Sequence, residues 1–346
     1  LAAVGSFSSN PYWQRLSGAL GTTAKAAVAV AIVLGVAPLL FVQVIYDPFW
    51  YTSNVISAWW LLGFLAVLTV AYLALYRWYG LNHSYADDGT PSSRPGAPRG
   101  GFWLAGSLLL MIVCGAIMHA VVNQSLQPAE WMNWYAPGGT IVPYGRELHS
   151  LTIGRLAFFL LLSLPVTAAW LFGMRRYLLS SGETDYGYVD FIEGLAHAMA
   201  KAGAVLVLAA GALWMAALPE NMEWFRTSVW MWIALVPIAY FGAMSFIQKK
   251  RKLCIFCNYM AFGMTIIMTI VLAAVREVLR FVTLLDAVGW NALDYKITMD
   301  WPSTAIFFVT FLVLGGLNLS YLLTLAWKSG QTKDLYTPSS GLTRVG

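Results

Sequence analysis

Eight apolar runs, each long enough to cross a bilayer, are separated by loops that hold nearly every charge of this 346-residue chain. They fall at about 23–45, 55–79, 102–124, 152–174, 198–218, 227–248, 258–284 and 303–327. A helix needs about 20 residues to span the hydrocarbon, so each run suffices. With 59% hydrophobic and 11% charged residues and a mean hydropathy of +0.66, a water-soluble fold would lack polar surface to cover itself. Runs such as 61–75 are apolar on every face and show no period of two, which excludes transmembrane strands. The chain therefore reads as an all-α, polytopic integral membrane bundle of about eight helices over residues 23–327. A segment 1–22 precedes it and a polar tail 328–346 follows.

Lys and Arg distribution sets the expected orientation. If the N-terminus is cytoplasmic, the opposite face keeps only Arg146, Arg155, Arg226, Arg276, Arg280 and Lys296 of the 21 basic residues. Both termini are then cytoplasmic, and the net charge of +5 reflects this bias and contact with anionic lipid, with no nucleic-acid partner implied. Aromatic residues flank the expected external turns: Trp50, Tyr51, Trp59 and Trp60 around the first, Trp131, Trp134 and Tyr135 in the second, Trp224, Trp230 and Trp232 around the third. Rings of this kind commonly sit at headgroup depth. Between the second and third runs, about 81–101, the sequence DDGTPSSRPGAPRGG (87–101) reads as a flexible cytoplasmic linker. The segment 9–25 is too polar for the core of a secretory signal.

Of three cysteines, Cys254 and Cys257 form a C-x-x-C pair directly after a Lys/Arg run at a helix start. A helix N-terminus and neighbouring cations both favour the thiolate. The pair reads as two reduced cysteines, a redox dithiol, or half of a metal site shared with a partner; the chain alone supplies no metal centre, because Cys114 lies in the middle of another span. His119 falls inside the third run and His149 just before the fourth. An imidazole in hydrocarbon needs a partner, and two of them on adjacent helices could ligate haem b, with Arg146, Arg155, Arg276 and Arg280 pairing its propionates. A hydrogen bond from His119 to a neighbouring helix is the simpler reading. Asp190, Glu193, His197 and Lys201 share one face of the fifth helix, being three or four residues apart. Glu193 and His197 are the candidate proton-active pair, against the simpler reading of a self-paired helix end. His83 lies just past the second run, where exposure explains it. Pro165 predicts a kink in the fourth helix. No nucleotide-binding, nucleophile-elbow or metalloprotease motif occurs, and the midplane acids and paired broken helices of secondary transporters are not legible.

Two resemblances add expectations. The stretch LCIFCNYMAFGMTI resembles the helix-start C-x-x-C of the vitamin K epoxide reductase family, and it implies thiol–quinone exchange at Cys254 and Cys257. That family's second loop cysteine pair has no counterpart here. The segments GVAPLLFVQVIYDPFWYTSN (35–54) and LQPAEWMNWYAPGGT (126–140) resemble a group of bacterial inner-membrane proteins that accompany respiratory multihaem c-type cytochromes, over about residues 30–175. The implied role is a membrane subunit of a respiratory electron-transfer complex that anchors a periplasmic cytochrome and handles quinone or haem b. A thiol–quinone oxidoreductase, a transporter and a structural scaffold remain the alternatives.

Overall fold

A computed structural model of the protein describes residues 1–85, 91–93, 98–142, 144–250, 255–294, 300–318, 320, 321 and 324, without the side chains of residues 26, 32–34, 36–38, 84–85, 91–93, 250 and 255–258. These residues fall into two units: Leu1–Asn82 with Ala97–Asn291, and His83–Gly96 with Ala292–Gly346.

The first unit contains eleven α-helices in chain order: α1 Ala2–Phe7, α2 Pro11–Ile45, α3 Asp47–Ile56, α4 Ala58–Asn82, α5 Gly101–Gln124, α6 Trp131–Tyr135, α7 Ile153–Leu161, α8 Ser163–Ser180, α9 Tyr186–Ala216, α10 Val229–Lys250 and α11 Ile255–Val288. The second contains the three-residue strands β1 His83–Tyr85 and β2 Pro91–Ser93, paired antiparallel, and helix α12 Trp301–Thr310. The pairing occurs inside the segment expected to be a linker. Among the described residues, seven helical stretches are long and apolar enough to cross a membrane: Ala58–Asn82, Gly101–Gln124, Ile153–Ser180, Tyr186–Ala216, Val229–Lys249, Tyr259–Val288 and Trp301–Asn318. The first apolar run, 23–45, lies in the 35-residue α2. The chain is a multi-pass membrane helix bundle. Helices are the economical solution here because each satisfies its own backbone N–H and C=O groups without water.

Local sequence sets the boundaries. Asn10 accepts a hydrogen bond from the Tyr12 backbone N–H at 2.8 Å, with Pro11 in the first turn, the usual chemistry of a helix start. Helix α2 therefore begins twelve residues before its apolar run, and the segment 1–22 belongs to the bundle. Leu16 and Ser17 are fully buried in it, and α1 packs on α2 and α5. The stretch after Ile45 also folds: Pro48 opens the amphipathic α3, which buries Phe49, Trp50, Ser53 and Ile56. Trp50 is 3% exposed against Ile117 and Val121. It is a core ring, unlike Trp59 on the outside at 60%. Pro165 cannot donate to the Leu161 carbonyl, and the helical stretch is interrupted at Leu162, between α7 and α8, where the backbone keeps helical angles of −57° and −22°.

Lipid tails are as apolar as leucine, so helix association depends on close packing and interhelical hydrogen bonds. Helices α4 and α5 are pinned by Ser107 Oγ donating to the Ala71 carbonyl at 2.7 Å. Ser53 Oγ donates to the Val121 carbonyl at 2.6 Å, joining α3 to α5. Helices α8 and α9 meet through small residues: Ala168 and Ala169 face Ala196, Ala200 and Gly203, and both alanine sets are fully buried. A Cβ on Gly203 would stand 2.7 Å from Pro165 Cδ and 2.9 Å from its backbone nitrogen, and backbone cannot step aside. Gly203→Leu should therefore lower stability in detergent by about 1–3 kcal/mol, read as a lower melting temperature. Gly194→Ala on the same helix, with nothing within 4 Å of its added Cβ, should melt at or above the wild-type temperature.

Candidate functional site

A polar cluster is buried between α2, α5, α7 and α11, toward the end of the bundle where α5 finishes and α7 begins. Its centre is Arg155, 5% exposed, on the first turn of α7. Its Nη1 donates a short hydrogen bond to Asn123 Oδ1, and its guanidinium lies 5.5 Å from the Trp214 ring centroid. Its Nε is buried with no hydrogen-bond partner among the described residues. Because arginine only donates, Asn123 must turn its oxygen toward Arg155 and its Nδ2 the other way. That Nδ2 donates to the Ser150 carbonyl at 3.1 Å and lies 3.0 Å from His119 Nε2. Ser150 holds a left-handed φ of 55°, which aims this carbonyl at Asn123.

His119 stands one turn before Asn123 on α5. Its Nε2 is 3.2 Å from the Thr152 carbonyl as well as 3.0 Å from Asn123 Nδ2. One nitrogen cannot donate to the carbonyl and accept from the amide at once, so the tautomer selects one contact. Either way Nε2 is engaged by protein, and Nδ1 has no hydrogen-bond partner among the described residues.

Helix α11 brings Arg276 and Arg280 one turn apart. Arg280 Nη1 lies 3.1 Å from Glu277 Oε2, an ion pair whose alignment falls short of a hydrogen bond. Tyr46 Oη donates to Glu277 Oε1 at 2.6 Å, and its ring lies 5.1 Å from the Arg280 guanidinium. Burial, then the Glu277 hydrogen bond and charge, raise the Tyr46 phenol well above its ordinary pKa. Arg276 has no hydrogen bond or ion pair among the described residues.

His119, Asn123, Arg155, Arg276 and Arg280 line one cavity of about 390 Å³, within the range of small-molecule sites. Its remaining wall is apolar, built from Leu39, Val42, Trp50, Met118 and Phe159 among others, with Gly35 and Gly115 leaving open space. A second cavity of about 200 Å³ shares Phe159 and Arg276 with it and is otherwise lined by apolar side chains such as Leu208, Met215 and Ile238.

The structure thus brings together four of the six expected cofactor residues, His119, Arg155, Arg276 and Arg280. His149 is elsewhere: its ring stacks on Trp134 at 4.9 Å and 3°, Nε2 is 3.9 Å from Glu147, and its backbone N–H donates to Gln124 Oε1 at 2.9 Å. Burial lowers its pKa, with Glu147 opposing. Arg146 lies over the Tyr144 ring at 5.3 Å and does not line the cavity. Asn123, Tyr46 and Glu277 complete the cluster; the i, i+4 spacing of His119 and Asn123 was the sequence signal for the first and the position of Glu277 between Arg276 and Arg280 that for the last, whereas nothing local marked Tyr46.

Glu193 and His197 lie near the far end of the bundle, about 30 Å along α9 from Trp214 at 1.5 Å per residue. Arg175 Nε donates to Glu193 Oε2 at 2.9 Å, Glu193 Oε1 is 3.8 Å from His197 Nε2, and His197 Nδ1 is 2.9 Å from Ser245 Oγ. Asp190 and Lys201 are exposed, so the expected stripe divides into a paired middle and solvated ends. Cys254 lies outside the described residues, and Cys257 is in the first turn of α11 with its side chain outside them. Cys114 is buried, its Sγ 3.8 Å from the Phe64 carbonyl.

At the same end Arg15 pairs with Glu183 and lies 4.0 Å above the Tyr188 ring. Burial opposes the Glu183 charge, but the Arg15 hydrogen bond, the Asp185 backbone N–H and the Arg15 charge outweigh it and hold the pKa below its ordinary value of 4.5. A carboxylate depressed in the folded state stabilises fully above its unfolded pKa and loses that contribution as pH falls through the folded one. Wild-type melting temperature should therefore drop more between pH 7 and pH 3 than that of Glu183→Gln, whose loss at pH 7 is about 0.5–1 kcal/mol for a pair whose side chains are 33% and 16% exposed.

At the cavity, Asn123→Leu strands the Arg155 guanidinium and should cost about 2–3 kcal/mol, while Asn123→Asp supplies a carboxylate and should retain the wild-type melting temperature. Equal melting of Asn123→Leu and wild type would mean that Arg155 is compensated elsewhere.

No family model, curated protein or solved structure matches the chain.

Proposed function

We propose that the chain is an integral subunit of a respiratory electron-transfer assembly in a bacterial inner membrane, holding an amphipathic redox cofactor, quinone or haem b, between α2, α5, α7 and α11. The observation that carries this reading is the cavity: a cluster of nitrogen donors at one end, an apolar wall around the rest, inside helices apolar enough to span the bilayer. An intramembrane group of ionisable residues facing a bundle interior is where membrane proteins keep their function. The donor set suits the carbonyl oxygens of a quinone, with Arg276 free to donate. It suits haem b less completely: the arginines match propionates, but His119 offers iron only Nδ1, its Nε2 being engaged by Thr152 and Asn123. The basic-residue bias puts both termini in the cytoplasm and the cavity toward the periplasmic face. The exposed Met132, Tyr135, Ile141 and Tyr144 of the loop between α5 and α7 then face a periplasmic c-type cytochrome, the proposed partner.

Purified protein should yield extractable quinone, or a reduced-minus-oxidised haem b spectrum, and should co-purify with a c-type cytochrome identified by mass spectrometry. His119→Ala should reduce cofactor content at unchanged protein yield. A preparation with no quinone, no haem spectrum and no cytochrome partner sinks the proposal.

A further inference from the structure

The geometry points to an oxyanion-bearing amphiphile as the ligand of this cavity: a carboxylate or phosphate head held by Arg276 with Arg155 and Arg280, its apolar chain against the wall leading toward the second cavity. The inference rests on reading the cavity as a ligand site and goes beyond it by fixing the charge of the ligand.

Three guanidiniums, from Arg155, Arg276 and Arg280, line one cavity. Among the described residues one carboxylate pairs with any of them, that of Glu277 with Arg280, and it also accepts from the Tyr46 hydroxyl. Arginine does not lose its proton in proteins, so this wall cannot neutralise itself as a lysine or histidine cluster could. Arg155 and Arg280 are each 5% exposed, where like charges repel strongly and cations are otherwise paired; Arg276 lines the same cavity from an exposed position.

The guanidiniums are also incompletely used. Arg155 spends one nitrogen on a neutral amide and leaves Nε buried without a partner. Arg280 makes a misaligned contact with Glu277, and Arg276 has neither hydrogen bond nor ion pair among the described residues. Guanidinium donors match carboxylate and phosphate oxygens in pairs, whereas a neutral carbonyl would leave the charge excess in place. At the far end of the bundle, by contrast, Arg175 and Arg15 each face a carboxylate. Arg176, beside Arg175, also keeps a buried Nε without a hydrogen-bond partner among the described residues, so what sets the cavity apart is three guanidiniums on one wall.

The amphiphile part follows from the remaining wall. Phe159 and Arg276 border both cavities, and beyond them the second presents side chains such as Leu208, Met215 and Ile238. An oxyanion at Arg276 with an attached hydrocarbon chain occupies both environments with each part matched.

The test uses delipidated full-length protein in a neutral detergent, with melting temperature and native mass spectrometry as readouts. The probes are phosphatidic acid, oleate, inorganic phosphate, diacylglycerol and decylubiquinone. Phosphatidic acid and oleate should bind and raise the melting temperature, while diacylglycerol, with the same tails and no charge, should not. Arg276→Gln should weaken phosphatidic acid binding about tenfold or more, and Arg276→Lys less. Gly115→Leu fills the cavity where an added Cβ meets nothing within 4 Å; it should melt like wild type without ligand and lose the ligand-induced rise. Stabilisation by phosphatidic acid but not by inorganic phosphate assigns the anion to a membrane amphiphile. Equal stabilisation by inorganic phosphate alone would overturn the amphiphile assignment in favour of a free anion. Diacylglycerol binding as tightly as phosphatidic acid, or unchanged binding in Arg276→Gln, overturns the inference altogether. The two readings fail separately: a neutral quinone seated alone in the cavity overturns the anion and leaves electron transfer intact, whereas phosphatidic acid bound by a preparation free of redox cofactor does the reverse.

Discussion

A guanidinium inside an apolar helix bundle is the constraint around which one end of this protein is organised. Arg155 is 5% exposed, and the cost of an unpaired ion in such surroundings is several kcal/mol. The amide of Asn123 takes up the nearest donor, and every neighbouring choice follows from that one. Asn123 is turned, its Nδ2 is committed to the Ser150 carbonyl and the His119 ring, and Ser150 is held in a conformation that a non-glycine residue seldom adopts. Helices α5 and α7 and the loop entering α7 are thereby fixed in register by a chain of polar contacts, not by apolar packing, which has no preferred register against lipid.

The two ends of the bundle handle charge differently. Toward the start of α9, Arg175 with Glu193 and Arg15 with Glu183 form matched pairs, and His197 bridges toward Ser245. Toward the end of α5, three arginines line one cavity and, among the described residues, only Arg280 of them pairs with a carboxylate. Matched pairs hold helices together and leave little free for chemistry. An unmatched set keeps donors available at some expense in stability, a pattern expected where a site is retained for binding. Both the proposed redox role and the anionic ligand rest on this difference.

Polar stretches next to the spans also take part in the fold. The segment 1–22 and the turn after α2 carry too many polar residues to enter hydrocarbon, yet both become helices packed on the bundle, through Asn10 with Pro11 and through Pro48. Burying α3 places Trp50 against α5 and Tyr46 beside Arg280. The connection from Tyr46 to Ser57 thus supplies Trp50 to the cavity wall and the hydroxyl that shares Glu277.

From the sequence alone came the fold class, the approximate extent of the spans, and the residues whose polarity is out of place in them, His119, Arg155, Arg276 and Arg280 among them. These are properties of composition over a window or of single residues, because an apolar helix must satisfy its backbone internally and an isolated ionisable side chain stands out against it. The companions of those residues were decided by the tertiary structure. His119, inside the last turns of one span, and His149, just before the next, belong to the same side, and only packing shows that His149 stacks on Trp134 while His119 turns toward Asn123. Tyr46, remote from Glu277 in sequence, meets it across the bundle. Nearly featureless apolar faces carry almost no information about which helix lies beside which, so the partners, the cavity and its uncompensated charge emerge only once the helices are placed.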